Sequence, residues 1–252
     1  MTNITLSVLF PKPWIWNQRR NSIDFNSNLE RLENVKDKRI PDIVIYQVDS
    51  IKQHYDENME LLTKQFPIAD QLVMEGKESA AKTIWRTQVV LLASAFDYFM
   101  HEIVWYGLDK IYDGVWEQPP QYKNLTITFE TLQKIKEDPD NKDWYVDYIT
   151  EKYKKQTLME FGDVRDHLNL IGVDPNAVAD TAFYQRGSTD KTLNQMKTKL
   201  NTLYWRRNHI AHQSDRSERN AEKKDITKQQ VEEFIENIDK IVAAITEEVK
   251  KM

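Results

Sequence analysis

The segment Trp205–Gln213, with the sequence WRRNHIAHQ, contains the side chains best suited to chemistry. An imidazole exchanges protons near neutral pH, so His212 can serve as a general base or acid. A guanidinium stays charged and binds two phosphate oxygens at once, which suits Arg207 to an anionic substrate. The amide of Asn208 can hydrogen-bond such a substrate or orient the imidazole. The segment therefore has the groups needed for acid–base chemistry beside a phosphate.

The spacing of these residues places them at the end of an amphipathic helix. An apolar stripe precedes the segment, with apolar residues at three- and four-residue intervals: Leu193, Met196, Leu200 and Leu203. The next position on that stripe is Arg207, whereas Asn208 and His212 share a face one turn apart. In an ideal helix Arg207 and His212 point roughly 140° apart. They can act together if the helix distorts, if the arginine reaches round, or if a second copy of the chain supplies the missing group.

Two other interpretations fit the same residues. In a purely structural one, Arg207 pairs with a buried carboxylate and His212 lies at a helix C-terminus. In the other, His209, His212 and Asp215 bind a metal, since they are spaced three apart. The sequence disfavours the metal site, because a loop is predicted from Gln213 onward and no cluster of carboxylates accompanies the histidines.

The elements that must position this segment are predicted to be helical from about Asp49 onward. A helix over Ser79–Tyr112 is apolar on more than one side, which predicts a central position in the fold. The other predicted helices are one from Asp49 that ends at Pro67, three short ones at about Phe129–Lys136, Trp144–Lys155 and Asp163–Ile171, one from about Thr189, and a last one from near Thr227 with a capping box to Gln230. The sequence therefore predicts an all-α domain over residues 49–252, with short helices in the stretch 113–187.

The first 48 residues differ from the rest and are interpreted as a small N-terminal arm. Apolar residues alternate from Ile4 to Phe10, which predicts a short strand that Pro11 ends. The stretch Ile43–Val48 is either a second strand or the start of the next helix. The arm is therefore predicted to contain one or two short strands.

The composition excludes several classes of protein. The 252 residues include no cysteine, which rules out disulfides and thiolate metal sites. Residues 1–10 lack the features of a signal peptide, and the most apolar stretch, Val89–Tyr106, is interrupted by charged residues; the expectation is a cytoplasmic protein without membrane contact. The net charge of −5 means that binding of nucleic acid requires a local basic patch. Lysines near the motif, including Lys197 and Lys199, are either such a patch or a solvated helix face.

The segment and its surroundings resemble the HEPN superfamily, in particular RiboL-PSP-type members. Arg207, Asn208 and His212 match the motif of an arginine, a polar residue and a histidine, with four residues between arginine and histidine. The polar segment Ser214–Asp225 and a closing amphipathic helix follow, as in that family. The helix with Ser94–Phe99 (SAFDYF) resembles the family's first helix. The similarity covers about 79–250, with an insert of short helices at about 113–187.

The resemblance implies a bundle of four to five helices that forms a homodimer, with two motifs facing one cleft. Family members that are nucleases cleave RNA without metal or cofactor, leaving a 2′,3′-cyclic phosphate and a 5′-hydroxyl, and many act as toxins or in antiviral defence, some with an inhibitor or antitoxin protein. Here Arg207 would hold the phosphate, His212 would transfer protons and Asn208 would support both. A non-catalytic module that binds RNA or protein is the alternative.

Two further expectations follow from this resemblance. An acidic residue often lies in the first helix of the family, which makes Asp97, with His101 one turn later, a candidate for orienting His212; the alternative is a structural pair. Toxins that are paired with nucleotidyltransferases have a tyrosine two residues after the histidine. Ser214 occupies that position here, so no control by modification of such a tyrosine is expected.

Overall fold

The computed structural model describes residues 44–138, 142–153, 155–187 and 189–252. The chain divides into two units, Met1–Ile40 and Pro41–Met252. All the described residues belong to the second unit. The strand predicted over Ile4–Phe10 and most of the predicted arm lie outside the described residues.

The regular structure of the described residues is helical, with no strand, which confirms the predicted all-α class. No described helix combines the length and the apolar character needed to cross a membrane. The helices are α1 (Val48–Thr63), α2 (Phe66–Met74), α3 (Glu78–Tyr112), α4 (Pro120–Lys123), α5 (Phe129–Glu137), α6 (Asp143–Tyr153), α7 (Phe161–Leu170), α8 (Pro175–Phe183), α9 (Thr192–Gln213) and α10 (Lys228–Lys250).

Helix α3 lies at the centre of the fold, as its apolar pattern predicts. It packs against α1, α2, α9 and α10. Its buried side chains point in several directions and include Val89, Leu92, Phe96, Phe99 and Ile103. Because it contacts both α9 and α10, α3 sets the position of the helix that contains the motif and of the helix that follows it.

At the start of the domain, the structure corrects the predicted end of the first helix. Residues 44–47 form no strand, and α1 begins at Val48. Helix α1 ends at Thr63, and the next helix starts at Phe66 with Pro67 in its first turn. Proline has no backbone N–H to donate and fits the first turn of a helix, where that donor has no partner. Pro67 therefore begins α2 and does not simply terminate α1.

The stretch 113–187 contains more helix than the sequence predicts, since α4 and α8 were missed. Helix α8 is capped by the Asp174 side chain, which accepts a hydrogen bond from the Asn176 backbone N–H. Its buried residues Val178, Ala179 and Phe183 face the core. Because α8 packs against both α9 and α10, the end of this stretch is part of the core of the fold.

The last helix begins as predicted, with a capping box. The Gln230 backbone N–H donates to the Thr227 hydroxyl at 3.2 Å, and the Gln230 side chain accepts from the Thr227 backbone N–H at 3.1 Å. The apolar face of α10, with Ile238, Ile241 and Ile245 fully or almost fully buried, packs on α3 and α8.

Gly107 on α3 has no room for a side chain, and Gly107→Ala is expected to destabilise the protein. A Cβ there would lie 2.7 Å from the Ile171 Cβ and 3.0 Å from the Trp116 ring. The crowding costs roughly 1–3 kcal/mol, which exceeds the gain in helix propensity of about 1 kcal/mol. In α7, Gly162 has open space around it, so Gly162→Ala should stabilise slightly. Denaturant unfolding of both variants checks this prediction, which is wrong if they shift stability in the same direction.

Candidate functional site

The motif helix is regular up to its last residue. Helix α9 is α-helical from Thr192 to Gln213, so no distortion brings Arg207 towards His212. Instead, the half-buried Arg207 donates a hydrogen bond from Nη1 to Asn208 Oδ1 at 2.9 Å. Asn208 lies between the directions of Arg207 and His212 on the helix surface. The guanidinium therefore reaches round the helix towards the face that His212 occupies.

His212 is exposed in the last turn of α9, one turn after Asn208. Within the described parts of the chain, neither ring nitrogen of His212 has a hydrogen bond or an ion pair. Both nitrogens are therefore free to exchange protons with a bound molecule. Arg207, Asn208 and His212 form a polar edge, on which the arginine and asparagine are linked and the imidazole is open to solvent.

The polar segment after α9 folds into a tight hairpin. Ser214 and Asp215 both have left-handed backbones, with φ of 53° and 58°. The Asp215 backbone N–H donates to the His209 carbonyl at 2.9 Å, and an antiparallel bridge joins Arg216 to Lys223. The hairpin turns the chain immediately after His212 and leads it into α10.

The Asp215 carboxylate is fully buried and holds this hairpin to the helices. It accepts from Arg86 Nε on α3 at 2.7 Å and pairs with Arg206 Nη1 at 2.8 Å. The same two arginines donate to backbone carbonyls of the hairpin, Arg86 to Lys224 at 2.6 Å and Arg206 to Asp225 at 2.8 Å. Burial lowers the pKa of Arg206, while the charge of Asp215 opposes that change.

These contacts bear on both of the other interpretations of the sequence, and His212 does lie at a helix C-terminus, as the structural one expects. A buried carboxylate does pair with an arginine of α9, but that arginine is Arg206, so Arg207 is left for another role. The metal site is wrong: Asp215 is engaged by two arginines, and His209 Nδ1 contacts Gln213. No group of three or more side chains able to bind a metal occurs in the described stretches. No sequence pattern indicates that Asp215 is buried, because an aspartate in a polar loop is ordinarily exposed.

The structure does not bring Asp97 and His101 to the motif. Asp97 Oδ1 accepts from the Leu158 backbone N–H at 2.6 Å, and His101 Nε2 lies 3.0 Å from the Gln156 carbonyl. Asp97 lies about 16 Å along α3 from Arg86, the residue that contacts the hairpin beside His212. The expected contact with His212 is therefore not formed among the described residues, and both side chains anchor the segment before α7 to α3.

Comparison with known proteins supports the resemblance that the motif suggested. A model of the RiboL-PSP-HEPN family matches residues 53–251, which include most of α1, all of α2 and the later helices. The match thus begins earlier than the Ser79 expected from the sequence. No curated protein and no solved structure shows a significant match to the chain. Since the family model covers most of the chain and the fold is all-α, the chain belongs to the RiboL-PSP-HEPN family.

Proposed function

We propose that this protein is a metal-independent endoribonuclease whose active residues are Arg207, Asn208 and His212. The observation that supports this most is the geometry of the polar edge. The Arg207 guanidinium is drawn to Asn208 at 2.9 Å, and the open imidazole of His212 lies one turn further. An anchored cation beside a free imidazole suits a phosphodiester substrate.

In the proposed reaction the 2′-hydroxyl of the substrate attacks the adjacent phosphorus. His212 accepts the 2′-proton as the new O–P bond forms and the bond from phosphorus to the 5′-oxygen breaks. Arg207 binds the non-bridging oxygens as their charge increases. The leaving 5′-oxygen takes a proton from water or from the imidazolium of a second copy of the chain. The products are a 2′,3′-cyclic phosphate and a 5′-hydroxyl.

A homodimer suits this chemistry, because one exposed imidazole per chain provides only one of the two proton transfers. Two copies of α9 facing a common cleft would supply the second imidazole. A toxin or antiviral defence role, with an inhibitor or antitoxin protein to hold the activity in check, is the biological setting that we propose.

The proposal is tested with purified protein and total RNA in the presence of a chelator. We expect new RNA fragments whose 3′ ends carry a 2′,3′-cyclic phosphate and whose 5′ ends carry a free hydroxyl. Cleavage that stops when the chelator is added would contradict the metal-independent mechanism. Specific RNA binding without any cleavage would favour the non-catalytic module instead.

A further inference from the structure

A groove of about 760 Å³ lies between α9 and α10. Trp205 and His209 contribute from α9, Phe234 from α10, and Lys224 from the hairpin. Neither the proposed mechanism nor the packing of the core accounts for this groove.

Trp205 is the most unusual side chain of the groove. It is 57% exposed, whereas Trp85 and Trp116 are each 7% exposed. Its ring is 5.5 Å from that of Tyr204 in an edge-to-face arrangement, which supports its orientation. A held, exposed indole offers a flat surface on which a nucleic acid base can stack.

The charges of the groove favour an anion. Four basic residues line it, Lys197, Lys199, Arg206 and Lys224, against two acidic ones, Asp225 and Glu233. The charge of Arg206 is already paired with the buried Asp215 carboxylate. Lys199 pairs with Glu233 at 2.9 Å, and Asp225 pairs with Lys82 outside the groove at 2.9 Å.

The ammonium groups of Lys197 and Lys224 make no ion pair or hydrogen bond within the described residues. The groove therefore offers two free cations, although the whole chain has a net charge of −5. These are the local basic groups that the overall charge requires of a protein that binds nucleic acid.

The groove lies on the same side of α9 as the proposed catalytic histidine. Trp205, His209 and His212 are spaced four and three residues apart, so they form one stripe along α9. Trp205 lies about 10 Å along the helix axis from His212. A strand whose scissile phosphate is at His212 can thus place a neighbouring base on Trp205.

We infer that this groove binds single-stranded RNA on one side of the cleaved bond, with Trp205 stacking a base and Lys197 and Lys224 contacting phosphates. The inference rests on RNA being the substrate, as proposed above. A protein partner, including a second copy of the chain, is less well matched, because it would have to cover two ammonium groups that lack a counter-charge.

The test measures binding by fluorescence anisotropy in a His212→Ala background, with a labelled single-stranded RNA about 12 nucleotides long. A ribose-phosphate chain of equal length without bases serves as the second probe. We expect Trp205→Ala to weaken binding of the RNA by about tenfold and to leave binding of the abasic chain unchanged. A Lys197→Ala/Lys224→Ala variant should weaken both probes and reduce the salt dependence.

Control variants remove exposed side chains elsewhere, Tyr184→Ala for the aromatic ring and Lys136→Ala for the cation, and neither should change binding. Circular dichroism and sedimentation check the fold and the oligomeric state of each variant. If Trp205→Ala binds RNA as tightly as the protein with Trp205, the inference is wrong. If that variant also has a changed oligomeric state, the groove is a contact between two copies of the chain. If the wild type cleaves RNA, the proposed nuclease activity stands whichever of these results is obtained. If binding depends on Trp205 but the wild type cleaves no RNA, the groove is an RNA-binding site and the proposed nuclease activity is wrong.

Discussion

His212→Ala is expected to lower the rate of RNA cleavage at least about a hundredfold, because in the proposed mechanism it removes the group that accepts the 2′-proton. His212 is exposed and has no hydrogen bond within the described residues, so the substitution should leave the stability almost unchanged. The rate is measured under single-turnover conditions with one RNA whose cleaved ends have been mapped.

Substitutions of Arg207 provide a second, independent test of the proposed mechanism. Arg207→Lys keeps the positive charge but loses the planar pair of donors, so its rate should fall between those of wild type and Arg207→Ala. Arg219→Ala removes an exposed arginine from the hairpin and serves as the matched control, with no expected effect. A His212→Ala variant that cleaves as fast as wild type would remove His212 from the mechanism.

The sequence predicted the long helices well because their burial pattern is strong. Helices α3, α9 and α10 each have many turns, so the apolar stripe repeats often enough to be recognised. Gly172, with φ of 83°, likewise marks the end of α7, as its residue type suggests.

The short helices were harder to predict. Helices α2, α4 and α8 have a proline in the first turn and only one to three turns, so the apolar pattern barely repeats. In a sequence, a proline reads as a break, whereas here it begins a helix in each case. Contacts with α3, α9 and α10, which the local sequence does not contain, decide that α2 and α8 fold as helices.

The candidate site was predictable only in part for a similar reason. The residues of the polar edge are close in sequence, and the spacing of Asn208 and His212 predicted that these two share a helix face. The ion pair between Arg86 and Asp215 joins residues that are 129 positions apart in the sequence, so no local sequence pattern predicts it. Likewise, the choice of Arg206 over Arg207 as partner of the buried carboxylate depends on how the hairpin folds back on α9.

Asp215→Ala is expected to lower the free energy of unfolding by about 3 kcal/mol, since it leaves Arg86 and Arg206 without their shared counter-charge. Both guanidinium groups are largely buried, with side-chain exposures of 12% and 16%. For a domain of this size the melting temperature should fall by roughly 6–12 °C. Thermal unfolding followed by circular dichroism measures the change. Asp225→Ala, in the same hairpin but at an exposed ion pair with Lys82, is the matched control and should have a far smaller effect.

A double-mutant cycle separates this ion pair from a general loss of packing. Arg86→Ala and Asp215→Ala, alone and together, should show a coupling free energy on the order of 1–3 kcal/mol, because each removes the other's partner. The same cycle for Lys82 and Asp225 should show none that can be measured, because solvent screens both groups. If the two cycles give the same coupling free energy, the charge of Asp215 is not what holds the hairpin to the helices. A large coupling only at Asp215 would mean that the end of α9, and with it His212, is fixed in place by a charge buried three residues further along the chain.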